Sequence, residues 1–404
     1  MDEGAGIGDR VRRLRTERLP RLTQRELAER AGVSVELVAK LEQGVRQSAR
    51  LVTLTKIARA LDVDVADLVS RPVRVDVSGG GGDGGVLAVR RAIVSLSDAG
   101  AEPTPVEDLQ KAVTLAWGHY WSNRFDMLAG MLPELIGAAR ATVRQAGTPA
   151  AHSVMSDVYR IAGAMLAEPL GKVDLGYLAM ERAVAAAEQS GDALRRAVVQ
   201  GWMSWLLTFH AGSTAEALRL AIREADAVEP KMKGASPERV SVWGTLLGFA
   251  AIAAARDDNV TEADDLISLS EVAATRLDGM GWSQSLYGQA PFGIPRVILQ
   301  MTDVAVVTGR PGRALTVARR MPPDADMTLS NRAWNLADKA FAYTELGKFR
   351  EAESTLTFIR RLAPNWMLYQ SYPRRVVAEL WEREKRARSR TLRELAEWMR
   401  MPLD

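Results

Sequence analysis

Residues 22–34 read LTQRELAERAGVS and residues 35–44 read VELVAKLEQG, and the spacing inside these two strings decides the first domain. Thr23 precedes Gln24, Arg25 and Glu26 in the order of a capping box. There the threonine oxygen accepts a first-turn backbone N–H and the glutamate reaches back to the cap. A helix starts at that point, buries Leu27, Ala28 and Ala31, and stops at Gly32, where a residue without a β-carbon takes the positive φ of a tight turn. Ser34 caps a further helix from Val35 to about Gln43. It turns Leu37, Val38 and Leu41 inward, leaves Val35, Glu36, Lys40 and Gln43 outside, and ends at Gly44.

Upstream, Ile7, Val11 and Leu14 recur at helical spacing, predicting an amphipathic helix from about Ile7 to Glu17. Seven arginines stand between Arg10 and Arg25 against the single acid Glu17, a basic patch that suits a polyanion as well as it suits a solvated helix face. Downstream, a helix over about Leu51–Leu61 adds Leu54, Ile57, Ala58 and Leu61 to the same small core, and Val65–Leu68 closes it. Two short helices meeting at a glycine-containing turn make a helix-turn-helix.

The string LTQRELAERAGVS, then LVAKLEQG at 37–44 and IARALDV at 57–63, resembles the Cro/C1-type, or XRE, helix-turn-helix family over about residues 7–70. The resemblance implies a five-helix lambda-repressor-like domain that binds double-stranded DNA. Residue by residue, Gln24 matches a phosphate-contacting glutamine. Val35, Glu36 and Lys40 match positions that reach base edges, and Gln43 and Arg46 match backbone contacts. Arg25 and Ser34, at the starts of the two helices, complete the candidate set. The chemistry agrees: a recognition helix enters the major groove N-terminus first, so its early outward side chains meet bases and its far end meets phosphate. Lys40 can donate to guanine, Glu36 can accept from cytosine N4 or pair with a neighbouring arginine, and Val35 can pack on a thymine methyl. One departure is the sequence SARL after the recognition helix, where the family often has proline.

Residues 78–85 read SGGGGDGG, a flexible run without the lysine and serine or threonine of a phosphate loop. It marks a linker, expected over 71–103, between the first domain and a second one from 104 to the end. At 404 residues and 47% apolar composition, two folding units with real cores are expected. Zero cysteines exclude disulfides and thiolate metal sites and point to the cytoplasm, with nucleoid association when bound to DNA. The most apolar run, Val240–Ala255, is shorter than a membrane span, so no membrane is expected.

Helical periodicity fills the second region, predicting an all-α fold. A turn residue followed five positions later by alanine recurs at Gly212–Ala217, Asp258–Ala263, Gly309–Ala314 and Gly347–Ala352. In the last copy Ala340, Tyr343, Gly347, Phe349, Ala352, Leu356 and Pro364 follow an order similar to the tetratricopeptide repeat, which implies an α-superhelix of six or seven hairpins. These should begin near Thr104, Pro149, Asp192, Pro237, Ile294, Thr328 and Gln370. The whole layout resembles actinobacterial regulators with tetratricopeptide-like C-terminal domains, and more distantly peptide-responsive quorum-sensing regulators. It implies a homodimeric repressor or activator, probing a palindromic operator.

Such a superhelix has a concave face lined by the first helix of each pair. Trp117, Trp121, Trp202, Trp205, Trp243 and Trp334 all fall on predicted first helices. Trp202 with Phe209, and Trp334 with Phe341, are seven residues apart and so share a face. They either line an effector pocket, with Arg296 and Asn331 as polar anchors, or wedge adjacent hairpins together. The stretch 280–295 places Trp282, Tyr287 and Phe292 on a glycine- and proline-broken loop that either covers a cavity or merely connects repeats. The basic amphipathic tail Glu382–Arg400 is a candidate dimer surface. No catalytic residue, metal or cofactor is expected: the acids lack ligand spacing, and His119, His152 and His210 are far apart. Two functions fit, a transcriptional regulator answering a peptide or small-molecule effector, or a DNA-tethered protein-interaction scaffold resembling an antitoxin.

Overall fold

The apolar spacing between Ile7 and Leu61 produces four helices in the computed structural model, which describes residues 7–17, 22–45, 51–61, 63, 68, 84–95, 101–209, 213–231, 234–383 and 389–401. They are α1 (Ile7–Glu17), α2 (Gln24–Ala31), α3 (Val35–Glu42) and α4 (Leu51–Leu61). Both halves of the capping box form: Thr23 Oγ1 accepts from the Glu26 N–H at 3.2 Å and the Glu26 carboxylate accepts from the Thr23 N–H at 2.6 Å. Gly32 ends α2 at φ 59°, and Ser34 caps α3 by accepting the Leu37 N–H. Val11, Leu22, Leu27, Ala28, Ala31, Val38, Leu41, Ile57, Ala58, Leu61 and Leu68 form one buried cluster. Of the expected closing segment Val65–Leu68, Leu68 enters this cluster and residues 65–67 lie outside the described residues.

Helix α1 crosses α3 closely. A β-carbon on Gly8 would stand 1.7 Å from the Leu41 carbonyl oxygen, so only glycine fits there.

The second core begins earlier than the expected start at 104. Residues 84–94 form α5 (Gly84–Val94), whose Val86, Val89 and Ile93 are buried in the large apolar cluster. Arg140 donates to the carbonyls of Ile93 and Ser95, which ties this segment to the repeats. The glycine run made residues 71–103 read as a linker throughout, whereas its last glycines open a helix whose apolar face is buried.

Fifteen more helices follow, paired as hairpins: α6 (Val106–Trp121) with α7 (Phe125–Ala146), α8 (Pro149–Ala167) with α9 (Val173–Ser190), and α10 (Ala193–Phe209) with α11 (Thr214–Ala227). Then come α12 (Pro237–Arg256) with α13 (Val260–Gly279), α14 (Ile294–Val307) with α15 (Pro311–Ala318), and α16 (Leu329–Glu345) with α17 (Phe349–Leu362). The short α18 (Pro364–Tyr369), α19 (Ser371–Arg383) and α20 (Arg390–Trp398) end the array. Thr148, Ser236 and Thr328 cap α8, α12 and α16 with their side chains, and proline at the first or second position of five of these helices removes an N–H that has no acceptor there. Each first helix touches the next first helix, in the succession α6, α8, α10, α12, α14, α16, α19, forming a continuous inner layer. No strand occurs among the described residues.

The array closes on itself. Ser330 Oγ donates to Asn123 Oδ1 at 2.8 Å, Asn365 Nδ2 donates to the Asn123 carbonyl at 3.2 Å, and the rings of Phe125 and Tyr369 meet at 5.7 Å. The loop 280–293 fastens the interior from another side. Trp121 Nε1 donates to the Gly288 carbonyl at 2.8 Å, Tyr287 donates to Asp192, and Arg160 donates to the Tyr287 carbonyl. Gly288 sits at φ 70° flat against Trp117, where a β-carbon would be 2.2 Å from the ring. Helix α20 buries Leu392, Leu395 and Ala396 in the C-terminal core, so the apolar stripe of the tail is consumed within the chain. Arg59 of α4 hydrogen-bonds Thr214 at 3.1 Å and pairs with Asp257, linking the two regions.

Gly8→Ala should force α1 away from α3 at a cost of about 2 kcal/mol or more. Hydrogen exchange of the α3 amides checks this; unchanged protection would show that the α1–α3 contact is looser than described.

Candidate functional site

Helix α3 divides sharply. Val38, Leu41 and Glu42 are buried, while Val35 is 43% exposed and Glu36, Lys40 and Gln43 are exposed beside it. At 100° per residue, positions 35, 36, 40 and 43 fall on one arc of the helix. The seat of this helix is a buried carboxylate. Arg15 of α1 grips Glu42 with two bonds of 2.7 Å, Gln24 of α2 donates to it at 2.8 Å, and Arg15 also donates to the Leu22 carbonyl at 2.7 Å.

Among the residues expected to contact DNA, Ser34, Val35, Glu36, Lys40 and Gln43 come together on this exposed arc or at its ends. Lys40 forms an ion pair with Glu36 at 2.7 Å, one turn apart, and that ammonium holds the Glu36 carboxyl below its ordinary range. An exposed pair of this kind contributes little and offers little resistance to a base or phosphate that competes for either partner. Arg25 extends into solvent and pairs loosely with Glu29 at 3.1 Å. The side-chain amide of Gln24, expected on phosphate, is committed to Glu42 here. Arg46 lies outside the described residues. Gly8, Arg15 and Glu42 escaped sequence reasoning. Glu42 sits among polar residues at the end of the helix, and its partner is 27 positions away.

A second site lies inside the repeat array. A cavity with about 670 Å³ of empty space, open solvent included, is lined from α6, α10, α12, α14 and α16, from Glu168 just past α8, and from Trp366 and Gln370. Its walls are Tyr120, Trp121, Phe125, Trp202, Trp205, Phe249, Trp334 and Trp366, and its polar groups include Glu168, Arg296, Asp303 and Asn331. Arg296 Nη1 donates to Asn331 Oδ1 at 2.8 Å. Asp303 receives both Arg256 N–H groups at 2.9 and 3.1 Å. Tyr120 donates to Glu168 at 3.3 Å, while burial pushes the Glu168 carboxyl up to about 7 against the pull of Tyr120 and Arg296.

Of the six expected effector residues, Trp202, Arg296, Asn331 and Trp334 line the cavity. Phe209 stands behind the wall, its ring 4.5 Å from Trp205 and 6.2 Å from Trp334 with Arg256 over its face. Phe341 is buried in the C-terminal core and lines nothing. The wedge role also holds for part of the set: Trp117 packs on Trp121 and Trp202 with the guanidinium of Arg160 4.4 Å above it. No group of histidines or acids able to hold a metal occurs among the described residues, and none of the described helices is long and apolar enough to cross a membrane.

Residues 11–68 match a family model described as helix-turn-helix, which supports a DNA-binding transcription regulator of the XRE type. No curated protein matches the chain.

Because folding favours the protonated Glu168, this carboxyl destabilises the protein as pH rises from its ordinary value near 4.5 to about 7. Glu168→Gln should therefore be nearly neutral at about pH 5 and stabilising by about 2 kcal/mol above about pH 7.5, after a discount for partial solvent screening. Thermal melts of the two proteins across that range check it. A Tm difference that ignores pH would contradict the assignment.

Proposed function

We propose that the chain is a sequence-specific transcription regulator whose α3 reads base edges in the major groove, and whose tetratricopeptide-like repeat region receives a peptide or small-molecule effector in the central cavity. The observation that carries the first half is the division of α3, with one side locked by Glu42 and the core and the other offering Val35, Glu36 and Lys40. Val35 and Glu36 in its first turn are exposed, the geometry a groove-entering helix needs. The basic face of α1, with Arg12 and Arg13 exposed, supplies charge for phosphate.

The second half rests on the cavity. It combines aromatic walls with a few converging polar groups, the usual make-up of a ligand site. Helix α12 places Phe249 and Ile252 in the cavity wall and ends at Asp257, which holds Arg59 of the DNA-binding domain. Occupancy that shifts α12 thus has a physical route to α4. Two-fold symmetry would match a palindromic operator, so the working form is a cytoplasmic homodimer.

Selection of preferred sites from a random duplex pool, using the full-length protein, tests the reading. Lys40→Ala should weaken the selected site by about 1–3 kcal/mol while leaving weak binding to unrelated DNA nearly unchanged. Equal loss on all sequences would remove Lys40 from base readout, and failure to enrich any sequence would contradict the regulator itself.

A further inference from the structure

Two donors of the cavity wall stand out: Arg296 makes a single hydrogen bond and the Trp202 indole N–H makes none among the described residues. Asp303 is matched by Arg256, and Glu168 is held by Tyr120 and is partly protonated near neutral pH. Arg296 has no such match. Its guanidinium carries five N–H groups, yet among the described residues it makes one hydrogen bond, to Asn331 Oδ1, and no ion pair. Burial lowers it only to about 10, so it stays charged at neutral pH. Arg296 is half-buried with Glu168 and Asp303 nearby, and the N–H groups it does not use on Asn331 leave room for a further, bidentate anion.

Three other features share the same polarity. Because Asn331 Oδ1 is occupied by Arg296, its Nδ2 group is the part left to donate. Arg296 and Asn331 stand in the first turns of α14 and α16, where the aligned peptide dipoles present their positive ends. Trp202, 5% exposed and part of the wall, has an indole N–H with no hydrogen-bond partner among the described residues. Around these donors Trp121, Trp205 and Trp334 supply flat apolar surfaces.

We infer that the cavity binds a small organic anion: a ring-bearing apolar body packed among Trp202, Trp205 and Trp334, carrying one carboxylate that pairs with Arg296 and Asn331. This rests on reading the cavity as an effector site. A cationic ligand would have to be desolvated beside Arg296. A peptide backbone brings as many donors as acceptors, whereas the groups left free on Arg296, Asn331 and Trp202 are donors.

Isothermal titration of the full-length protein near pH 7.5 with 1-naphthoate, 1-naphthamide and 1-naphthylmethylammonium tests the inference, since the three share a body and differ in charge. Naphthoate should bind at least about tenfold more tightly than the other two. Arg296→Gln, and separately Asn331→Ala should the first variant fail to fold, should shrink that preference severalfold while leaving naphthamide binding nearly unchanged. No preference, preference for the cation, a preference untouched in folded Arg296→Gln, or no binding of any probe up to millimolar concentration would each overturn it. A parallel DNA titration separates this from the broader reading. Naphthoate binding with the stated preference but no effect on DNA affinity would sink the sensor role and keep the anion site. An amide or ammonium probe that binds better and alters DNA affinity would do the reverse.

Discussion

The ion pair between Arg15 and Glu42 decides where α3 faces. Both charges are largely withdrawn from water, and the pair joins the first helix to the end of the third while Gln24 brings in the second. Removing one partner of such a pair strands the other, a loss of about 3–5 kcal/mol, so the three helices hold one mutual orientation. The contact of Gly8 with the Leu41 carbonyl fixes the same crossing at van der Waals distance. A reading head is useful only if its outward side chains are placed before the duplex arrives, because ordering them on binding would reduce affinity. Val35, Glu36 and Lys40 inherit their placement from a carboxylate on the buried face of α3.

The repeat region solves a different problem. Its first helices form one inner layer, and that layer bends until the corner at Asn123 meets α16 and α18. Closure converts a concave face into a cavity, and it brings Tyr120 and Phe125 from the first hairpin against Trp366 and Gln370 from the last. The loop around Tyr287 and Gly288 acts as a strap across the interior, bonded to α6, α8 and the start of α10. Its aromatic residues are anchors in this arrangement.

Local chemistry made much of this readable in the sequence. Thr23, Glu26, Gly32 and Ser34 announce their turns by hydrogen bonds that span three or four residues. The first helices begin at Val106, Pro149, Ala193, Pro237, Ile294, Leu329 and Ser371, each within two residues of the caps and prolines that predict them. Long-range pairing was not readable. Helical spacing puts position 42 on the side of Val38, four residues back, but nothing near Glu42 reveals that Arg15 will neutralise a charge placed there. The seven-residue step from Trp334 to Phe341 does place both on one side of α16. That helix, however, offers its first turns to the cavity and its later turns to the hairpins after it, so Phe341 is covered. Trp366 and Tyr120 reach the cavity through array closure, which no local period encodes. Composition misled at 84–94, where glycine suggested coil but Val86, Val89 and Ile93 had a core to enter.

The chain contains no cysteine, so one introduced thiol carries a chelated iron to a single place. Val45→Cys puts it just beyond α3, at a position 70% exposed. On a duplex selected by the full-length protein, the account predicts cleavage confined to a few nucleotides flanking one major groove per half-site. Cleavage spread evenly along bound DNA, or none while the protein stays bound, would contradict the claim that α3 is the element that reads the sequence.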